Sequence, residues 1–106
     1  MSKGTSTIEI GQIVRVTKGR EKGKLAVIIG KLSERFVLLA DGDKRKYDSP
    51  KKKNVQHIEP TDFISEEVRM SLLETKRVSN GKLRFAIAKY EEKLETLEEK
   101  GDVHDV

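Results

Sequence analysis

"IGQIVRVTKGREKGKLAVIIG", residues 10–30, decides what this chain is built from. Its left part, "QIVRVT", is rich in β-branched residues, with Val14 and Val16 alternating against Arg15 and Thr17. A period of two puts the valines on one face of a strand and the polar pair on the other. Its right part, "LAVIIG", is a continuous apolar run too short for a helix, which reads as a central strand buried on both sides. Between them stands "GREKGK", residues 19–24. Gly19 and Gly23 let the chain bend sharply between two buried strands. Lys18, Arg20, Lys22 and Lys24 then project from the bend on long side chains.

The strand pattern continues downstream. "RFVLLA" is a third run of the same type, and "DGD" at 41–43 is a hairpin signal, because Gly42 and its Asp neighbours tolerate positive φ. "KRKY", residues 44–47, reads as a polar fourth strand at a sheet edge, with Tyr47 as its apolar residue. "DSPKKKN" reads as a loop, "VQHI" as a short fifth strand, and Pro60 as its end. Five short strands punctuated by turns predict a small, highly bent β-barrel.

After Pro60 the period changes. Ser65 is a candidate N-cap, Glu66 and Glu67 follow in the first turn, and Ile64, Val68 and Leu72 sit at helical spacing. "SNG" at 79–81 breaks that helix. A second helix carries Leu83, Ile87, Tyr90, Leu94 and Leu97 as one apolar stripe and is expected to end at Gly101. The stripe suits core packing better than pairing of two chains, since isolated helices of this length are barely stable. The expected organisation is a flexible tail at 1–7, a barrel at 8–60 and a helical extension at 61–106.

Composition narrows the function. The 106 residues carry a net charge of +4, but unevenly. Residues 1–60 hold 14 Lys and Arg against 7 Asp and Glu, and residues 61–106 hold 8 against 11. A basic first part joined to an acidic second part suggests a polyanion-facing surface on the first. There are no cysteines, which excludes disulfides and thiolate metal sites. No apolar run reaches signal-peptide or membrane-span length, so a cytoplasmic protein without a membrane partner is expected.

An enzymatic reading of "GREKGK" fails on spacing. A phosphate-binding P-loop needs four residues between its glycines, then Lys, then Ser or Thr for magnesium. Here three residues intervene, and Leu25 follows Lys24. His57 and His104 stand far apart and make no zinc site. Ser33, Ser49 and Ser65 have no nucleophile-elbow setting. Asp41 and Asp43 are explained by their turn, and the acids Glu91, Glu92, Glu95, Glu98 and Glu99 by the solvated side of a helix. No catalytic residue, cofactor or metal is expected.

With these residues in view, "IGQIVRVTKGREKGKLAVIIG" resembles a KOW motif, found in ribosomal proteins and transcription elongation factors. Many KOW members carry a glycine where this chain has Ala26, a departure that points away from the bacterial ribosomal and elongation-factor branches. "GKLAVI" together with "KKKNVQHIEPT" resembles large-subunit ribosomal protein fourteen of archaea and eukaryotes and its bacterial KOW relatives. The resemblance covers roughly residues 8–62. It implies an SH3-like barrel and binding to structured RNA, ribosomal RNA in the first instance; joined to the strand and helix reading above, the expected fold is mainly β, a five-stranded barrel followed by an extension of two helices. By that analogy the nucleic-acid-binding residues are Lys18, Gly19, Arg20, Lys22, Gly23 and Lys24, with a second cluster of Lys44, Arg45, Lys46, Lys51, Lys52 and Lys53. The two clusters are expected to share one face. Base specificity is expected to be weak, because Tyr47 is the only aromatic residue near them.

Two readings follow. The first is a non-catalytic RNA-binding protein of ribosomal type, a monomer within a ribonucleoprotein that serves translation. The second is a protein–protein module that docks on a transcription or translation complex through the barrel and the acidic helices. Under either, the helices are available to a protein neighbour.

Overall fold

A computed structural model describes the backbone of residues 8–105 and the side chains of residues 8–96. The tail expected at 1–7 and the side chains of Leu97 and His104 lie outside the described residues. The elements in order are β1 (Gln12–Val16), β2 (Leu25–Lys31), β3 (Phe36–Ala40), β4 (Lys51–Asn54), a short 3-10 turn (Val55–His57), β5 (Ile58–Ile64), α1 (Glu66–Thr75) and α2 (Asn80–Asp105). The strands form one antiparallel sheet in the order β4-β3-β2-β1-β5, so β2 is central. The chain is mainly β, a small barrel-like sheet with a helical extension.

The pleat sorts the apolar residues into two cores. Val14, Val16, Ala26, Ile28, Val37, Leu39 and Ile58 pack together on one side of the sheet. Ile13, Val27 and Ala40 point the other way and pack under the helices against Val68, Val78, Leu83, Ala86 and Tyr90. That double burial is why "LAVIIG" shows no polar alternation: both faces of β2 are covered. Register shifts between Ile28 and Gly30, and between Gln12 and Val14, bend β2 and β1 and help curl so small a sheet.

Two strand assignments from sequence are corrected. Residues 44–47 are not a strand. Oδ1 of Asp41 accepts the amides of Asp43 (2.8 Å) and Arg45 (2.9 Å), which closes a side-chain-stabilised turn. The amide of Tyr47 is taken by Oδ1 of Asn80 at 2.7 Å, far away in sequence. The fourth strand is instead the lysine run Lys51–Asn54, paired with β3. Charge hid it, yet an edge strand is where lysines are tolerated. "VQH" is likewise a 3-10 turn, capped by Asn54, whose Oδ1 accepts the Gln56 amide at 2.8 Å. The fifth strand begins at Ile58 and runs through Pro60 to Ile64. β5 is also an edge, where a residue without an N–H does little harm.

The helices start as their caps dictate. Oγ of Ser65 accepts the amide of Val68 (3.3 Å), with Glu66 and Glu67 in the first turn. Oγ of Ser79 accepts the amide of Lys82 (3.1 Å), so Asn80 and Gly81 belong to α2 rather than to a break. The helix also passes Gly101, where an end was expected. A glycine inside a helix costs about 1 kcal/mol relative to alanine but does not by itself stop it. The stripe of α2 is used for core packing: Leu83 and Tyr90 are buried, Ile87 and Leu94 pack beside them, and Ala86 completes the contact. No described helix is long and apolar enough to cross a membrane.

Candidate nucleic-acid interface

The β1–β2 connection is an ordered, tight loop. Its ends are tied as a hairpin: the amide of Val16 donates to the Lys24 carbonyl at 2.9 Å, and the amide of Gly23 to the Val16 carbonyl at 2.7 Å. Within it the amide of Lys22 donates to the Gly19 carbonyl (3.1 Å) and that of Lys24 to the Glu21 carbonyl (2.9 Å). Gly19 (φ 94°) and Gly23 (φ 91°) sit in the left-handed region that this path demands. The amide of Thr17 donates to the His57 carbonyl at 2.8 Å, which fastens the loop to the turn before β5. Lys18, Arg20, Lys22 and Lys24 are all exposed.

β4 stands beside this loop. Nζ of Lys53 donates to the carbonyl oxygen of Lys18 at 3.4 Å. Lys24, Lys44, Arg45 and Lys51 line one small surface cleft together with Glu21 and Asp41. The structure therefore brings Lys18 and Lys24 of the first cluster beside Lys44, Arg45, Lys51 and Lys53 of the second, while no described contact ties Arg20 or Lys22 to them. It also divides the lysine trio. Lys51 pairs with Leu39 and Lys53 with Val37, two residues of the barrel interior, so these lysines share that side of the strand. Both are half-buried, with apolar stems on the sheet and ammonium groups at its rim. Lys52 pairs with Leu38 on the opposite side, and its Nζ lies 4.5 Å from the Phe36 ring centroid. Lys46 is exposed and belongs to neither of these clusters of contacts.

Acids are near, but among the described residues none forms an ion pair with these cations. Among the described residues the single ion pair is Arg69–Glu66 (3.2 Å), on α1. Asp41 lines the cleft, but one carboxylate oxygen is spent on two backbone amides.

α2 holds the second basic loop in place, a part of the site that sequence reasoning missed. Asn80 receives the Tyr47 amide, Nη1 of Arg84 donates to the Gly42 carbonyl at 2.7 Å, and the Tyr47 hydroxyl donates to the Lys76 carbonyl at 2.9 Å. Tyr47 is thus a packed anchor beside the helix-covered core, and its ring is not a free stacking platform. Gly42 has φ 80°, and a Cβ there would overlap the carbonyl oxygen of Asn80. Gly42→Ala is expected to push the loop off α2 at a cost of about 1–2 kcal/mol. Amide exchange at Asp43 and Arg45 checks it: faster exchange is expected there, with the β1–β2 ladder unchanged. Nothing local in the sequence marks Asn80 or Arg84 for this role, since their partners lie 33 and 42 positions away.

A curled five-stranded sheet whose glycine-turned loop and lysine edge strand meet at one rim is a KOW-type barrel. No family model matches the chain. It is similar to "Putative ribosome-binding protein YbzG" of Bacillus subtilis, 45% identical over 71 residues, which cover 67% of this chain and 96% of that protein. It is similar to large ribosomal subunit protein eL14 of Methanococcus maripaludis, 35% identical over 75 residues, 63% of this chain and 91% of the relative. The eL14 of Sulfolobus acidocaldarius is 42% identical over 55 residues, 52% of this chain and 57% of that protein. The chain belongs to the eL14-like family of KOW proteins.

Proposed function

We infer that the protein is a non-catalytic, ribosome-associated RNA-binding protein of the cytoplasm. It holds ribosomal RNA by its phosphates, through Lys18, Arg20, Lys22 and Lys24 of the first loop and Lys44, Arg45, Lys51 and Lys53 of the second cluster. Gly19 and Gly23 give the first loop its shape, while Lys46 and Lys52 stand at the periphery. The observation that carries this reading is the meeting of the two clusters at the barrel rim, where Lys53 reaches the Lys18 backbone and no described acid pairs with them. The names of the relatives, a ribosome-binding protein and ribosomal proteins, support the ribosome association in this reading. In this reading the barrel, which ends with β5 at Ile64, makes the RNA contacts, and the two helices that follow brace it.

Phosphate contacts are made by charge and donors rather than by base identity. With about six of these eight side chains on phosphates at once, log affinity falls against log salt with a slope of roughly −4 to −5. Sedimentation of the full chain with ribosomes at about 0.05 M and about 0.5 M salt tests this. Pelleting at low salt and release at high salt are expected. A protein that stays in the supernatant at low salt overturns the reading.

A second reading, docking on a protein neighbour through the helices, draws on Met70, Leu73 and Phe85, which are 42%, 62% and 50% exposed. Under it, binding to the assembly survives high salt, because apolar contacts are not screened. The same sedimentation separates the two.

A further inference from the structure

Two arginines outside the predicted clusters are held in matching ways. Arg15 leaves β1, and its Nη1 donates to the Gly23 carbonyl at 2.9 Å. Arg84 leaves α2, and its Nη1 donates to the Gly42 carbonyl at 2.7 Å. Gly23 and Gly42 are the turn glycines of the two basic loops. Both arginines line one cleft between the loops and α2, along with Lys24 and Lys44. A guanidinium carries five N–H donors in a rigid fork. One backbone bond fixes the direction of each fork and leaves its other donors available. Neither guanidinium has an ion-pair partner among the described residues.

The cleft also carries Asp41, Asp43 and Glu91. Asp41 is engaged by the Asp43 and Arg45 amides, and Asp43 and Glu91 are exposed, where water and salt weaken their field. Apolar Leu25 and Ile87 form part of the wall. A low-dielectric wall strengthens any charge–charge attraction formed against it.

We propose that this cleft is a phosphate clamp, in which Arg15 and Arg84 each grip a backbone phosphate of the bound RNA. Helix α2 is then part of the RNA surface as well as its brace. The clamp rests on the RNA-binding reading above and extends it to residues on a different strand and on the helix. Arginine suits the task because its fork matches phosphate oxygens two at a time, whereas lysine offers a point charge.

The test is affinity of the full chain for deproteinised ribosomal RNA across a salt series. Arg15→Gln and Arg84→Gln should each weaken binding about fivefold at about 0.15 M salt and lower the slope by about 1. Arg84→Lys should keep the slope and lose part of the affinity, and it serves as the second variant if Arg84→Gln lowers the melting temperature. Asn80→Ala loosens the loop tether without removing charge and should leave the slope unchanged. If Asn80→Ala reproduces the slope change of Arg84→Gln, Arg84 acts only by holding the loop and the clamp is overturned. If both arginine variants match the wild type while Lys51→Gln with Lys53→Gln weakens binding, the clamp is overturned and the RNA interface stands. If the wild type fails to bind the RNA, the interface falls and the clamp with it.

Discussion

Changing Lys51 and Lys53 together to glutamine is expected to lower affinity for ribosomal RNA about 30-fold at about 0.15 M salt and to take about 2 from the salt slope. Lys52→Gln is expected to change both by less than twofold. The three lysines are neighbours in sequence and have the same chemistry. They differ in the side of β4 they occupy. Lys51 and Lys53 lie on the side that meets the β1–β2 loop, where Lys53 already touches the Lys18 backbone. Lys52 lies over the Phe36 ring on the other side. A surface that merely attracts RNA by net charge would feel the three removals alike. Equal losses from single glutamine variants at the three positions would therefore show that the pleat does not matter, and the geometric account of the interface would fail. Circular dichroism and melting controls are expected to stay near wild type, because the affected groups sit at an exposed rim.

Leu83→Ala is the change expected to harm the fold most. Leu83 is fully buried, within the cluster that joins Ile13, Val27 and Ala40 of the sheet to Val68, Ala86 and Tyr90 of the helices. Truncating it leaves a cavity that rigid strands cannot close, at a cost of about 3 kcal/mol. That is a large part of the 5–15 kcal/mol typical of a whole domain. For about 100 residues it lowers Tm by roughly 12–20 °C. Because the cluster spans sheet and helices, the loss should appear as one cooperative transition. A separate early transition confined to helical signal, with the sheet melting as in wild type, would show that α2 is an independent appendage rather than the second wall of the barrel. The companion change Leu73→Ala alters a side chain that is 62% exposed and should move Tm by little.

Much of this was legible from residues. β1 and β2 declare themselves as β-branched runs flanked by glycine, and β3 as a short apolar run closed by the turn at Gly42. The Ser65 cap and the α2 stripe were equally plain, since capping oxygens and a helical apolar period are local signals. The misreadings share a cause. "KRKY" and "KKKN" have nearly the same composition, and what separates them is distant in sequence. Asn80 removes the Tyr47 amide from any ladder, while Val37 and Leu39 offer Lys53 and Lys51 a partner strand. A polar edge strand carries no apolar period to find it by. The extent of β5 was missed because Pro60 looks like an end, although at an edge it ends nothing. In the candidate interface, the two clusters could be picked out by charge and glycine spacing. Their meeting, the division of the lysine trio and the bracing by Asn80 and Arg84 all depend on tertiary contacts that no local pattern encodes.

In the proposed function the rim where the β1–β2 loop meets β4 touches ribosomal RNA. Ultraviolet cross-linking of the full chain in cells, with the attached RNA sequenced and the attached peptides identified by mass spectrometry, tests it most directly. Ribosomal RNA fragments joined to peptides from 15–24 and 41–53 are expected. Cross-links confined to peptides from α1, or RNA recovery no greater than from a non-binding control protein, would contradict it.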